Sequence, residues 1–115
     1  MAHYLKFFKS YFDDFIEVQD KKTKIKIISV INLVIEWDRI PGEYLKKIKG
    51  SKNIYEIRIN SQGTAIRIFC IFDMNTLVLL NAFRKKSRRT PLREIRLAQR
   101  LSSEYYENKP KNQKS

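Results

Sequence analysis

The stretch of sequence that decides the fold class is IYEIRINSQGTAIRIFCIFDMNTLVLLNAF, residues 54–83. Its first segment, IYEIRIN, alternates apolar and polar residues, as a β-strand with one buried face does. SQG is a hairpin signal, and the apolar segments TAIRIFCIFD and TLVLLNAF follow it, separated by the short turn MN. The pattern therefore predicts three consecutive antiparallel strands. The middle strand is apolar on both faces apart from Arg67, which indicates a central position in the sheet.

The sequence before these strands is typical of helices that follow one short strand. The strand is predicted in AHYLKFF, residues 2–8, and a short amphipathic helix in SYFDDFIEVQD, residues 10–20. A longer helix is predicted in KKTKIKIISVINLVIEWD, residues 21–38, because its polar residues recur closer to every 3.6 positions than to every second one. The apolar stripe of this helix comprises Ile27, Val30, Ile31 and Val34. A strand is the competing prediction for this segment, which is rich in β-branched residues.

Pro41 and Gly42 mark a break, after which EYLKKIKG, residues 43–50, is predicted to form one further helical turn. A C-terminal helix is predicted to begin after the third strand, because Thr90 suits the N-cap and Pro91 the first helical position. Its core-facing residues are predicted to be Ile95, Ala98, Leu101 and Tyr105.

The predicted fold class is α+β. The chain is predicted to begin with helices, with or without a short strand before them, and to end with a C-terminal helix. These helices are predicted to pack on one face of an antiparallel sheet of three to four strands. Residues 1–107 are expected to form a single domain, and residues 108–115 a disordered basic tail.

The composition narrows the possible partners. The chain has 115 residues, of which 24 are Lys or Arg and 12 are Asp or Glu, so its formal net charge is +12. Such a charge points to nucleic acid, an anionic membrane or an acidic protein as the partner. No apolar run approaches the roughly 20 residues that span a bilayer, and the N-terminus lacks a secretory signal. We therefore expect no membrane association and a reducing, cytoplasmic location.

The counts of cysteine and histidine exclude several kinds of site. Cys70 is the only cysteine and His3 the only histidine, so a disulfide within the chain and a cysteine-based metal site are excluded. Catalytic arrangements of the Ser-His-Asp and Cys-His kinds are excluded as well. No cofactor and no metal are expected.

Positive charge is concentrated in NAFRKKSRRTPLREIRLAQR, residues 81–100, which contains eight basic residues and one acid, Glu94. Like charges at this density repel one another and destabilise the compact state, so a polyanionic partner is the natural explanation. On the predicted helix, basic residues spaced by three and four form one stripe: Arg89, Arg93, Arg96 and Arg100. The alternative interpretation is a solvated run of charges.

Arg67 is the most informative single residue, because an unpaired charge in an apolar strand costs several kcal/mol. One interpretation is a structural ion pair with Glu56 or Asp73. The other places Arg67 on an open face of the sheet as a bidentate phosphate clamp, near Arg58 on the preceding strand. Both interpretations remain open, and so do two roles for Tyr105, which either packs in the core or stacks on a base.

An RNA-cleaving site without histidine is chemically possible. Attack of a 2′-OH on its own phosphate needs in-line geometry and donors for the charge that develops on the phosphoryl oxygens. Arginine serves only as an electrostatic stabiliser, whereas a lysine among other cations can act as an acid or a base. The segment RKK, residues 84–86, supplies such lysines.

The segments IYEIRI, IRIFCIFD and LVLLNAFRKKSRRTPLREIRLAQR resemble the phage-derived, HigB-like branch of the RelE/ParE toxin superfamily, over about residues 45–106. The resemblance implies the toxin of a toxin–antitoxin system, a ribosome-dependent mRNA endonuclease (mRNA interferase) that blocks translation. It implies metal-independent cleavage by 2′-OH attack on the phosphate. The implied partners are the ribosome, mRNA and a helix-turn-helix HigA-like antitoxin, with operator DNA bound only through the antitoxin complex.

The resemblance also assigns site residues. The family's phosphate-binding arginine matches Arg67, its strand-one arginine matches Arg58, and its basic strand-end pair matches Lys85 and Lys86. The candidate catalytic residues are Arg67, Lys85 and Lys86. The candidate RNA- or phosphate-binding residues are Arg58, Arg84, Arg88, Arg89, Arg93, Arg96 and Tyr105.

The sequence departs from the family pattern at two places. Ile66 stands where a tyrosine usually precedes the phosphate-binding arginine, and Asn81 and Ala82 stand where relatives often have His-Gly. The chain therefore lacks a strand-end histidine for proton transfer. Two further functions stay open: a non-catalytic basic module that binds nucleic acid or a protein partner, and a ParE-like inhibitor of DNA gyrase.

Overall fold

The computed structural model of the protein describes residues 2–109. The elements in this part of the chain are β1 (Tyr4–Phe7), α1 (Tyr11–Glu17), α2 (Lys21–Glu36), β2 (Leu45–Lys47), β3 (Ile54–Ser61), β4 (Thr64–Asp73), β5 (Thr76–Lys85) and α3 (Leu92–Glu107). The strands form one sheet in the order β1-β5-β4-β3-β2. β1 runs parallel to β5, and all other neighbouring strands are antiparallel. The predicted α+β fold class, the first strand and the three-strand meander are confirmed.

Helix α2 begins where the sequence supplies a cap. The side chain of Asp20 accepts a hydrogen bond of 2.8 Å from the backbone N–H of Thr23, which satisfies one of the free donors at the helix start. The four residues of the predicted apolar stripe are buried against the sheet: Ile27, Val30, Ile31 and Val34. Each such side chain contributes roughly 1.5–3 kcal/mol when fully buried. The competing prediction of a strand is therefore wrong for this segment.

The helices cover both faces of the sheet. α1 and α2 pack on one face, which we call the α2 face, against residues that include Ile57, Ile66 and Leu79. α3 packs on the opposite face, the α3 face, against residues that include Phe69 and Leu80. The prediction that the helices share one face is wrong. β4 is apolar on both faces, and helices on both sides of the sheet are needed to bury its side chains away from water.

Residues 43–50 do not form the predicted helical turn. Leu45–Lys47 is instead the edge strand β2, paired with β3. The backbone N–H of Arg58 donates to the carbonyl of Tyr44 at 2.8 Å, and the N–H of Ile48 donates to the carbonyl of Ile54 at 2.9 Å. Pairing with β3 satisfies more backbone groups than one isolated helical turn, so the sheet has five strands rather than three or four.

A β-bulge in β5 decides which face its last residues occupy. Ile68 pairs with Ala82 and Cys70 with Leu79, so two residues of β5, Leu80 and Asn81, lie opposite the single residue Phe69. The extra residue shifts the alternation of β5 by one position. As a result Phe83 and Lys85 share a face with Arg67 and α3, whereas Arg84 lies on the α2 face.

The C-terminal helix begins one residue later than predicted. Its N-cap is Pro91 rather than Thr90, and no side chain caps the helix start. At its other end Lys109 lies 2.8 Å from the carboxylate of Asp73. The rest of the predicted basic tail, residues 110–115, lies outside the described residues. Within residues 2–109, no helix is both long and apolar enough to cross a membrane.

Candidate nucleic-acid interface

The α3 face of the sheet is divided into an apolar half under α3 and a charged half. Arg58 and Arg67 are direct cross-strand partners in the charged half, and Lys85 lies on the same face, paired with Ala65. Glu56 stands at the boundary, because it lies two residues before Arg58 and pairs with the core residue Phe69. We call Glu56, Arg58, Arg67 and Lys85 the arginine site.

Arg67 is paired with Glu56 and not with Asp73. Nε of Arg67 lies 3.8 Å from Oε2 of Glu56, and both residues are buried, at 7% and 5% exposure. The carboxylate of Asp73 is occupied elsewhere, by Tyr105 and Lys109. Arg67 therefore forms an ion pair with Glu56, as one of the two interpretations predicted. Glu56 also faces a second guanidinium group, since Nε of Arg58 lies 3.7 Å from its Oε1.

The guanidinium of Arg67 retains unused hydrogen-bonding capacity. Its Nη1 donates to the carbonyl of Ile66 at 3.0 Å, whereas its buried Nε has no hydrogen-bond partner within residues 2–109. Burial lowers the pKa of Arg67, Glu56 opposes that shift, and Arg58 adds to it. The guanidinium remains charged at neutral pH, because arginine does not deprotonate in proteins. Anions are the ligands that such a group attracts.

Exposed cations follow the last strand of the arginine site along the chain. The loop of residues 86–91, which we call the basic loop, joins β5 to α3 and carries Lys86, Arg88 and Arg89 on its surface. On α3, Arg93, Arg96 and Arg100 are exposed at spacings of three and four and form one stripe. Arg89 lies before the helix begins, so the prediction that it belongs to the helical stripe is wrong.

Two predicted site residues lie away from this surface. Arg84 is on the α2 face, where its Nη2 donates to Oε1 of Gln19 at 2.6 Å. Tyr105 is only 6% exposed and its hydroxyl donates to Asp73 at 2.7 Å, so it packs in the core and is not available for stacking on a base. Tyr106 is the exposed member of the tyrosine pair, at 40%.

Two residues in or beside the arginine site were not among the candidate catalytic or binding residues, although Glu56 was predicted as a possible ion-pair partner of Arg67. Glu56 joins both arginines, and Thr90 joins Glu56 to the basic loop through a hydrogen bond of 3.4 Å from its hydroxyl to Oε2. The alternation of β3 places Glu56 on the same face as Arg58, so the sequence did contain a signal for the first of these. The contact of Thr90 depends on the path of the loop, which no local pattern specifies.

Asn81 occupies the position at which the family resemblance leads one to expect histidine. It is buried, and its Nδ2 donates to the backbone carbonyl of Glu94 at 3.1 Å and to Oε1 of the same residue at 3.0 Å. Asn81 therefore anchors the first turn of α3 to the bulge in β5. No group of three or more His, Cys, Asp or Glu side chains placed to hold a metal ion occurs in the described part of the chain.

Three solved structures from E. coli are similar to this fold. A chain of the intact RelBE toxin–antitoxin complex matches with a TM-score of 0.57 and 17% identity, and the match covers 75% of this chain and 100% of that one. An arginine-to-alanine double variant of toxin RelE in the free state matches with a TM-score of 0.57 and 16% identity, over 93% and 97% of the two chains. The isolated RelE toxin matches with a TM-score of 0.55 and 17% identity, over 85% and 98%. Likeness at this level of identity shows the fold alone, and the fold is RelE-like.

No curated protein matches this sequence. The model of the family described as Phage derived protein Gp49-like (DUF891) matches residues 14–103, which is most of the chain. The matched span contains α2, the strands β2 to β5 and the greater part of α3. It thus includes the whole arginine site and the basic loop. The chain belongs to the Gp49-like family of phage-derived proteins.

Proposed function

We propose that this protein is the toxin of a toxin–antitoxin pair and acts as a HigB-like, ribosome-dependent mRNA endonuclease that blocks translation. The observation that carries the proposal is the direct cross-strand pairing of Arg58 with Arg67, with Lys85 on the same face. Like charges directly opposite one another destabilise a sheet. Glu56 offsets only one of the positive charges of Arg58, Arg67 and Lys85, and a polyanionic ligand explains the charge that remains. We take mRNA as that ligand because it fits the RelE-like fold and the Gp49-like family.

The chemistry assigned to the site is attack of a ribose 2′-OH on the adjacent phosphate. The 2′-OH gives up its proton to one of the two lysines Lys85 and Lys86, and a bond forms between the 2′ oxygen and phosphorus. The bond from phosphorus to the 5′ oxygen breaks, and the leaving oxygen takes up a proton from the other lysine. Arg67 stabilises the charge that develops on the phosphoryl oxygens, and Arg58 binds the same phosphate. Of Lys85 and Lys86, one is the proposed proton acceptor and the other the proposed proton donor, and both lie in a strongly cationic segment. The reaction proposed for these residues needs no metal ion.

The proposed partners follow from the charge and from the fold. The net charge of +12 favours binding to ribosomal RNA and mRNA, with phosphate contacts from the basic loop and from the α3 stripe. One structure with this fold is a toxin–antitoxin complex, which supports an antitoxin as the neutralising partner here. We propose a helix-turn-helix antitoxin of the HigA kind, with operator DNA bound only through the complex, and a cytoplasmic site of action.

The experiment that tests this function is a cell-free bacterial translation reaction with a defined mRNA. New 5′ ends are mapped by primer extension with and without the protein. We expect cuts at defined positions within codons that disappear when ribosomes are left out. Intact mRNA together with undisturbed translation would contradict the proposal.

A second candidate function is a non-catalytic module that binds RNA without cutting it. The observation that favours it is the burial of Asn81 against Glu94, which leaves no side chain able to take the place of a catalytic histidine at that position. The same reaction separates the two candidates. Inhibition of translation with intact mRNA would select the binding module.

A further inference from the structure

The carboxylate of Glu56 lies at the centre of the arginine site. Its two oxygens face two different guanidinium groups, at 3.7 Å from Nε of Arg58 and 3.8 Å from Nε of Arg67. The sheet register places these two arginines directly opposite each other, an arrangement in which like charges repel. One buried acidic side chain therefore offsets the repulsion between two cations.

Glu56 holds the arginines by charge without using up their donors. Both distances are longer than a hydrogen bond, so the interaction is electrostatic rather than a bidentate pair. Nε of Arg67 is buried and lacks a hydrogen-bond partner within the described residues. A buried donor in this state is costly, and an anionic ligand that enters the site supplies acceptors for the guanidinium groups.

A second contact connects Glu56 to the basic loop. The hydroxyl of Thr90 donates to Oε2 of Glu56 at 3.4 Å, and this is the oxygen that faces Arg67. Thr90 lies at the end of the loop that carries Lys86, Arg88 and Arg89. The carboxylate of Glu56 thus contacts both sheet arginines and the end of the loop that carries these cations.

We propose that Glu56 is a positioning residue: it sets Arg58 and Arg67 side by side and, through Thr90, fixes the basic loop beside them, so that one RNA phosphate meets cations from both. The proposal rests on the function proposed above, since RNA phosphate is the ligand. Glu56 acts through its neighbours and forms no bond to the RNA. A small displacement of groups that must meet a reacting phosphate lowers the rate strongly, whereas overall affinity depends on many phosphate contacts.

The first test is the substitution Glu56→Gln, which keeps the shape of the side chain and an acceptor for Thr90 but removes the charge. Affinity for a short uridine oligonucleotide, measured by fluorescence anisotropy, is expected to stay within about twofold, because the other cations remain. Inhibition of cell-free translation, per mole of folded protein, is expected to fall by about tenfold or more. A role confined to stability would lower the melting temperature and leave the activity of the folded protein unchanged.

The second test is a matched pair at Thr90. The substitution Thr90→Val removes the hydroxyl and keeps the shape, while Thr90→Ser keeps the hydroxyl. We expect Thr90→Val to reduce the inhibition of translation several-fold, and Thr90→Ser to behave as the wild type. If Glu56→Gln does not fold, these two variants still test whether Glu56 acts through Thr90. Equal activity of the two Thr90 variants would overturn the proposal.

A third measurement is independent of activity. Nuclear magnetic resonance follows the Nε–H signals of Arg58 and Arg67 while the uridine oligonucleotide is added. We expect both signals to shift together in the wild type and to lose this joint response in Glu56→Gln. If the wild-type protein fails to inhibit translation, the proposed function fails, and this titration still decides the role of Glu56. An unchanged joint shift in folded Glu56→Gln, or no shift in the wild type, would overturn it.

Discussion

The two faces of the sheet are built from different chemistry. The α2 face is apolar where it is buried, with residues such as Ile57, Ile66 and Leu79, and the buried polar groups near it are uncharged. The α3 face buries Glu56 and Arg67, whose removal from water costs several kcal/mol per ion before their attraction is counted. The buried part of the α2 face contains no charged side chain, so this sheet can bury a face without an ion pair. We therefore propose that the α2 face serves stability and that the α3 face binds the ligand.

The largest expected effect is on activity and comes from the α3 face. We expect Arg67→Ala to abolish growth inhibition in a bacterial host, because it removes the group that we propose stabilises the phosphate, while helicity by circular dichroism stays close to wild type. The control on the other face of the same sheet is Arg84→Ala, which we expect to remain toxic.

The variant Arg67→Met separates the two roles of the arginine, since it keeps an extended side chain without charge. If Arg67→Ala unfolds the protein and Arg67→Met remains fully toxic, Arg67 serves as a structural ion pair alone. That result would contradict the proposal that the α3 face binds the ligand.

The next effect is on stability and comes from the α2 face. Ile57 is fully buried there, so Ile57→Ala is expected to lower the free energy of unfolding by about 2–5 kcal/mol through lost contacts and a residual cavity. Chemical denaturation measures this loss. Oligonucleotide affinity, measured where the variant is folded, should not change. A large loss of affinity in the folded variant would mean that the two faces are not separable.

A smaller effect is expected from the exposed stripe on α3. The substitution Arg96→Gln removes one cation and should weaken binding to RNA in a sequence-independent way. The slope of log affinity against log salt concentration should fall by roughly 0.7–1 for the lost phosphate contact. Affinity measured from low to moderate salt provides the slope. An unchanged slope would mean that the stripe does not contact the RNA.

The smallest effect concerns pH and the start of α2. Hydrogen bonds from Gln62 and Thr23 lower the pKa of Asp20 from 3.8 to about 2. Because the folded-state pKa is lowered, this contribution to stability is complete above about pH 4 and is lost as the pH falls through 2. The variant Asp20→Asn still caps the helix but does not titrate. We expect the urea midpoints of wild type and variant to converge as the pH falls, and a constant difference would contradict the assignment.

The sequence contained most of the fold because its strongest patterns are local. The alternation in β3 and the helical period of α2 depend on residues close together in the chain, and both predictions are confirmed. β2 was predicted as a helical turn because its three residues carry too little pattern, and only pairing with the distant strand β3 makes them a strand. The bulge in β5 is a single extra residue with no sequence signal, yet it places Lys85 rather than Arg84 on the face that carries Arg67.

The sequence predicted the cations of the candidate site, but not which residues they pair with or which face of the sheet they occupy. The charge of Arg67 in an apolar strand was visible from the sequence, and the cross-strand register with Arg58 made it part of a pair. The choice of Glu56 over Asp73 as its partner required the sheet geometry, since both acids were compatible with the sequence. Tyr105 was predicted both as a core residue and as a stacking residue, and its place on the inner side of α3 decides for the core.

The measurement that tests the account most directly compares Arg67→Ala with Arg84→Ala in one cell-free translation reaction, with mRNA cleavage mapped by primer extension. The two variants remove the same side chain from opposite faces of the same sheet. We expect ribosome-dependent cuts with wild type and with Arg84→Ala, and none with folded Arg67→Ala. Equal cleavage by the two variants, or an equal loss, would contradict the assignment of function to the α3 face.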